Sequence, residues 1–221
     1  ESQHILGVAG PGSAAMEMAV VNLVSPGSKV LSICNGFFSS RLAEMAERAE
    51  GNVIRMNVPN GFSASTEEVE KYLKEHQPSV LTIVQGETSN TVFNRHLPEI
   101  AALARKHNCL VIVDAVCTLS TMPLSMDDWG IDAVITGGQK GLSERAWDAI
   151  NARKDQLRHW CLDAKLADQF WYKKSYHYTA PVSGILAMHE ALRLICNETL
   201  STRYNRHLRC SLALQKAIEA L

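Results

Sequence analysis

Five short apolar runs rich in β-branched residues punctuate this chain: Lys29 to Cys34, Asn52 to Val58, Ser79 to Gln85, Cys109 to Asp114 and Ile131 to Thr136. Each has the length of a buried strand. Between them, Phe37 to Ala49, Ser65 to Glu75 and Leu97 to His107 carry apolar residues at helical spacing, with Ser63 and Ser65 available as caps. Strand alternating with helix predicts an α/β fold built on a doubly wound, mostly parallel sheet. From Ser143 onward the pattern is helical only, with Val182 to Cys196 and Leu200 to Leu221 as long helices broken near Asn197.

Composition narrows the function. Lys and Arg number 22 against 23 Asp and Glu, a net charge of −1, which argues against a nucleic-acid or membrane-surface partner. With 46% hydrophobic and 20% charged residues the chain reads as globular with a sizeable core. No uncharged apolar run approaches the roughly 18 residues of a membrane span. The 6 cysteines form no C-x-x-C pair and read as reduced thiols of an intracellular protein, expected in the cytoplasm with organelle targeting left open. His177 and His189 have no cysteine pair to complete a zinc site, so no metal is expected. A length of 221 residues suggests one large domain, or one plus a fragment, and the abrupt ends suggest that further residues belong on both sides.

Three features carry chemistry. Ala9-Gly10-Pro11-Gly12-Ser13-Ala14-Ala15-Met16-Glu17 is a small-residue turn leading into a helix, where free N–H groups, the helix dipole and a hydroxyl suit a phosphate. Taken alone it is more often an ordinary helix start, and it matches neither the Walker nor the dinucleotide pattern. Asp114 closes the strand Leu110-Val111-Ile112-Val113, at the sheet edge where ligands of open α/β folds collect; an Asp capping the next turn is equally consistent. Lys140 follows Ala133-Val134-Ile135-Thr136-Gly137-Gly138-Gln139 at the same edge, where a desolvated amine would lose its proton easily and act as a Schiff-base nucleophile. A solvated loop lysine is commoner for any single lysine. Together, a phosphate cradle, a carboxylate and an amine at one sheet edge are the set that pyridoxal 5'-phosphate needs.

At this point the sequence resembles the class V aminotransferases of the fold-type I pyridoxal-phosphate enzymes, especially the alanine-glyoxylate and serine-pyruvate aminotransferase group. The resemblance rests on Gly10-Pro11-Gly12-Ser13 before Ala15-Met16-Glu17, Asn35-Gly36, Gly86-Glu87-Thr88-Ser89, Val113-Asp114-Ala115-Val116, Gly138-Gln139-Lys140 and Tyr176-His177-Tyr178-Thr179-Ala180-Pro181-Val182. It implies a large cofactor-binding domain over residues 1–180 and helices over 181–221 that lead toward a small C-terminal domain. It also implies that Lys140 carries the cofactor as a Schiff base and that Asp114 bonds the pyridinium nitrogen. Gly12, Ser13 and Gln139 would hold the phosphate, Thr88 would sit near the ring oxygen, and Phe38 would stack on the ring. Phe37 is the other aromatic that could face it, and both could instead be core residues. Tyr176 and Thr179 would reach the phosphate of the neighbouring subunit, which implies a homodimer.

The implied reaction is transamination between a small amino acid of alanine or serine type and a small keto acid, glyoxylate or pyruvate. A pyridoxamine-pyruvate aminotransferase, a pyridoxal-phosphate lyase or desulfurase on the same fold, and a catalytically dead dimeric relative are the alternatives. The family has a Pro/Gly turn and an apolar strand after the lysine motif, whereas here Leu142 runs straight into Ser143. A missing core strand is therefore expected, and residues absent from this sequence would belong at that junction.

Overall fold

The computed structural model describes residues 4–137 and 139–220, with Gln139 and Lys140 described by their backbone alone. The sheet has seven strands: β1 (His4–Gly7), β2 (Lys29–Cys34), β3 (Asn52–Asn57), β4 (Val80–Val84), β7 (Leu110–Asp114), β8 (Ala133–Thr136) and β9 (Gln139–Leu142). Their order across the sheet is β1-β9-β8-β7-β4-β2-β3. The five strands from β8 to β3 are parallel, and β9 runs antiparallel to both of its neighbours. A two-stranded ribbon, β5 (Gly86–Glu87) with β6 (Val92–Phe93), stands beside it.

The parallel strands are joined by α1 (Gly12–Leu23), α2 (Phe37–Arg48), α3 (Thr66–His76), α4 (Leu97–Lys106) and the single turn α5 (Met126–Trp129). Ser65 rather than Ser63 caps α3, its Oγ accepting from Glu68 N–H at 3.1 Å. Strands β4 and β7 have nearly every side chain buried, as expected for strands covered by helices on both faces. Helix α1 is apolar almost all round and packs into the centre of the core with Leu6, Ile135, Leu142 and Ala146. Its one interior polar residue, Asn22, is fully paired: Nδ2 donates to Met18 O (2.7 Å) and Leu162 O (2.6 Å), and Oδ1 accepts from Ala164 N–H (2.9 Å). That amide ties the turn Trp160–Leu162 and the start of α7 (Ala164–Lys173) to α1.

The segment after the lysine motif enters the next helix directly. Residues 139–142, the lysine motif itself, form β9 and fill the position between β1 and β8. Thr136 pairs with Gln139 at the end of the β8–β9 ladder. Pairing on both sides supplies β9's backbone partners, so no buried edge is left open. Asp132 secures the direct entry from β9 into α6 (Glu144–Ala152). Its carboxylate, 2% exposed, accepts from Val111 N–H (2.8 Å), Ser143 Oγ (2.9 Å) and Arg145 Nε (2.8 Å), and Arg145 Nη2 also donates to Cys109 O (2.7 Å).

Two compact units are present. The first runs up to Cys117 and includes Ser125–Tyr178; the second joins Thr118–Leu124 to the residues from Thr179 on. Within this second unit Arg203 Nε donates to Ser120 O (3.0 Å) and Oγ (3.2 Å). The second unit consists mainly of α8 (Val182–Glu198) and α9 (Leu200–Glu219), broken at Thr199. Among its described helical residues none is buried, and Leu186, Leu208, Leu214 and Ile218 are exposed. Among the described residues, no helix is long and apolar enough to cross a membrane.

Candidate active site

The carboxyl ends of β4 and β7 meet the N-termini of α1 and α2 at one edge of the sheet, the position where open α/β folds bind ligands. A cavity of about 180 Å³ opens there, lined by Gly12, Ser13, Phe38, Arg41, Thr88 and Asp114 among others. Each wall follows from local structure. Pro11 occupies the N-cap of α1, with no N–H of its own and no side-chain cap, and the first turn carries no acidic residue. The first N–H groups of α1 are thus left to bond something other than a neighbouring side chain. A Cβ at Gly12 would stand 3.2 Å from Val116 Cγ2, a tight contact that Val116 would have to relax.

Asp114 forms the floor at 4% exposure. Its Oδ1 accepts from Val116 N–H at 2.8 Å. Burial pushes its carboxyl above the ordinary range; the Val116 N–H opposes this, and the negative charge of Glu87 adds to it. A buried carboxylate held in this way is stabilised by a cationic N–H partner.

Glu87 fixes the aromatic wall. Its Oε2 accepts from Ser39 N–H (2.8 Å), and its Oε1 from Phe38 N–H (3.3 Å) and Ser89 Oγ (2.6 Å), so the carboxylate caps α2 from outside the helix. Burial works to raise its pKa, but the hydrogen bonds from Ser89, Ser39 and Phe38 outweigh it and hold the carboxyl below the usual range. A Cβ at Gly36 would lie 2.3 Å from Glu87 Cγ, so only glycine admits this approach. Phe38 lines the cavity while Phe37 is 60% exposed, which removes Phe37 from the core. The two rings meet edge to face with centroids 5.5 Å apart.

Of the residues singled out in the sequence, Gly12, Ser13, Phe38, Thr88 and Asp114 are brought together around this cavity. Lys140 lies in β9 in register with Ile135, which in turn pairs with Asp114. Its Cα is therefore two strands from that of Asp114 at the same level, roughly 10 Å away at ordinary strand spacing. The side-chain roles expected of Gln139 and Lys140, and the glycine at 138, lie outside the described residues. Tyr176 is 77% exposed and is not among the lining residues, and Thr179 belongs to the second unit. Sequence reasoning missed Arg41, although its spacing of three from Phe38 puts both on one helix face. It also assigned no role to Glu87.

The whole chain, residues 1–221, matches the family model described as aminotransferase class-V. An alanine–glyoxylate aminotransferase of Oryctolagus cuniculus is 33% identical over 231 positions, covering 98% of this chain and 59% of the relative. That of Drosophila melanogaster is 32% identical over 229 positions, covering 97% and 58%. Both alignments run longer than the 221 residues of this chain, so each relative carries residues without a counterpart here. A solved alanine–glyoxylate aminotransferase from Nostoc sp. superposes with a TM-score of 0.96 at 33% identity, covering 100% of this chain and 61% of that one. A pyridoxamine-pyruvate aminotransferase from Mesorhizobium loti superposes at 0.84 and 27% identity, covering 92% and 54%. The chain spans less than two thirds of the length of each. Its sheet is that of the fold-type I large domain, and the chain belongs to the class V aminotransferase family.

Proposed function

We propose that the protein is a pyridoxal-phosphate-dependent transaminase that moves an amino group between a small amino acid of alanine or serine type and a small keto acid, glyoxylate or pyruvate. The observation that carries this is the single cavity where the uncapped N-terminus of α1, an aromatic wall and a buried carboxylate meet. These residues fit the cofactor. The phosphate suits the N–H groups of Gly12 and Ser13, the flat ring suits Phe38, and a protonated ring nitrogen suits Asp114.

The bound cofactor supplies an electron sink for the carbanion left when the substrate loses its α-proton. Asp114 holds the proton on the ring nitrogen by accepting its hydrogen bond, at a site that favours a cationic donor. Phe38 fixes the ring plane, anchored through Glu87 and the first N–H groups of α2. Thr88 is assigned to the ring oxygen and Gln139 to the phosphate. Lys140 would supply the amine that holds the aldehyde end and would serve as the base and acid for the α-proton. Tyr176 and Thr179 are assigned to the phosphate of a second subunit in a homodimer. The exposed Tyr176 and the uncovered apolar side chains of α8 and α9 support an assembly of this kind.

Titration of the protein with pyridoxal phosphate tests the assignment. A visible band that is absent in Lys140→Ala is expected, together with amino transfer from alanine to glyoxylate that the same variant loses. No band at saturating cofactor would sink it.

A further inference from the structure

Arg41 stands out among the cavity's walls because its positive charge has no counter-charge among the described residues. Among the described residues no carboxylate lies within ion-pair distance of it, whereas Arg48, Arg55, Arg145 and Arg153 each hold one. Its guanidinium lies 4.8 Å from the centroid of Phe37 and 5.1 Å from that of Phe38, where both aromatic faces attract and orient it. From there Nη1 donates to Ser13 Oγ at 3.0 Å. The charge is therefore delivered to the N-terminus of α1, which is already the positive end of a helix dipole. Two positive elements brought together in a partly desolvated cavity repel unless an anion lies between them.

The hydroxyl of Ser13 adds direction. A serine oxygen that accepts from Arg41 keeps its own hydrogen to give away, and a ligand oxygen at this helix start would suit it as acceptor. Pro11 deepens the need, since at the N-cap it contributes neither an N–H nor a hydroxyl to the cradle.

Resting on the cofactor assignment above, we infer that Arg41, positioned by Phe37 and Phe38, is the cationic ligand of the cofactor's phosphate and pairs with it through Ser13 at the start of α1. The same side chain thus couples the phosphate end of the site to the ring that stacks on the cofactor. An arginine suits the task because it stays charged at every working pH and presents a fork of donors to phosphate oxygens.

The test is a comparison of two ligands differing only in the phosphate. Equilibrium dialysis would measure the dissociation constants of pyridoxal phosphate and of pyridoxal for the wild type, Arg41→Gln and Arg41→Lys. In Arg41→Gln the constant for pyridoxal phosphate is expected to rise by about tenfold or more, the effect of losing one charge-assisted hydrogen bond. That for pyridoxal should stay within about twofold, as expected for a contact the smaller ligand does not make. Arg41→Lys keeps the charge and should fall between, which provides the readout should the glutamine variant fold poorly. Equal weakening of both ligands would overturn the inference and leave Arg41 as a support for Phe38. So would unchanged cofactor binding with a raised KM for the amino acid, which would make Arg41 a substrate-carboxylate ligand. If the wild type binds no pyridoxal phosphate, the cofactor assignment falls and this role falls with it.

Discussion

Asp114 is 4% exposed, and burial lifts its carboxyl above the ordinary carboxylate value, with the charge of Glu87 pushing the same way. The sign of the consequence is fixed by linkage. A carboxyl whose folded pKa exceeds its unfolded one costs nothing at low pH, and the cost sets in as pH rises from the ordinary value through the raised one. The cofactor-free protein therefore carries this penalty at neutral pH. Asp114→Asn removes the charge and keeps the shape, so it is expected to raise the Tm of the cofactor-free protein at neutral pH. The gain should shrink as pH falls into the ordinary carboxylate range. The same change replaces a charge-assisted bond to the ring nitrogen, worth ~1.5–3 kcal/mol, and should weaken pyridoxal-phosphate binding by about 10–100-fold. Thermal melts with and without cofactor check both halves. A cofactor-free variant that melts no higher than the wild type would show that the buried charge is already satisfied by the chain itself.

Strand β9 owes its existence to its neighbours. Gln139-Lys140-Gly141-Leu142 contains no β-branched residue, and β1 is only four residues long, so neither stood out in the sequence. Both are strands because β9 pairs on each side, with β1 and with β8. By contrast, β2, β4, β7 and β8 were legible as apolar runs, because strands buried on both faces leave no room for polar residues. The cavity was legible in the same uneven way. Ser13, Phe38 and Asp114 sit at element ends where chemistry collects, whereas Arg41 and Glu87 serve the site through contacts between elements that no local pattern records. The junction after β9 depends on one such contact. Asp132 is 3% exposed at its side chain and is paired with Arg145 at 2.5 Å, and Arg145 also satisfies Cys109 O. Arg145→Met would leave a buried carboxylate without its cation, at a cost of about 3–5 kcal/mol. Urea unfolding should show that loss, while Arg193→Met, at the exposed pair with Glu190, should change little. Equal effects for the two variants would mean that Asp132 finds its compensation elsewhere.

At the scale of the whole molecule the question is whether one chain completes the site. The lining residues of the cavity all come from the first unit of a single chain, yet they do not include Tyr176, which is 77% exposed. A large, amphipathic side chain held out in solvent is the kind of residue that interfaces use. If Tyr176 serves the phosphate of a neighbouring copy, defects at Lys140 and Tyr176 belong to different active sites when they sit on the same chain. Lys140→Ala and Tyr176→Ala are each expected to be inactive or nearly so. When the two are unfolded, mixed in equal amounts and refolded, half of the dimers formed at random contain one chain of each kind. In such a dimer both defects fall in one site, and the other site is whole. Activity should return to about one quarter of the wild-type value, the share of intact sites that two-fold symmetry allows. If Tyr176 acts on its own chain's site, every site in the mixture keeps one defect and no activity returns, which would separate shared sites from a self-contained protomer in a single measurement.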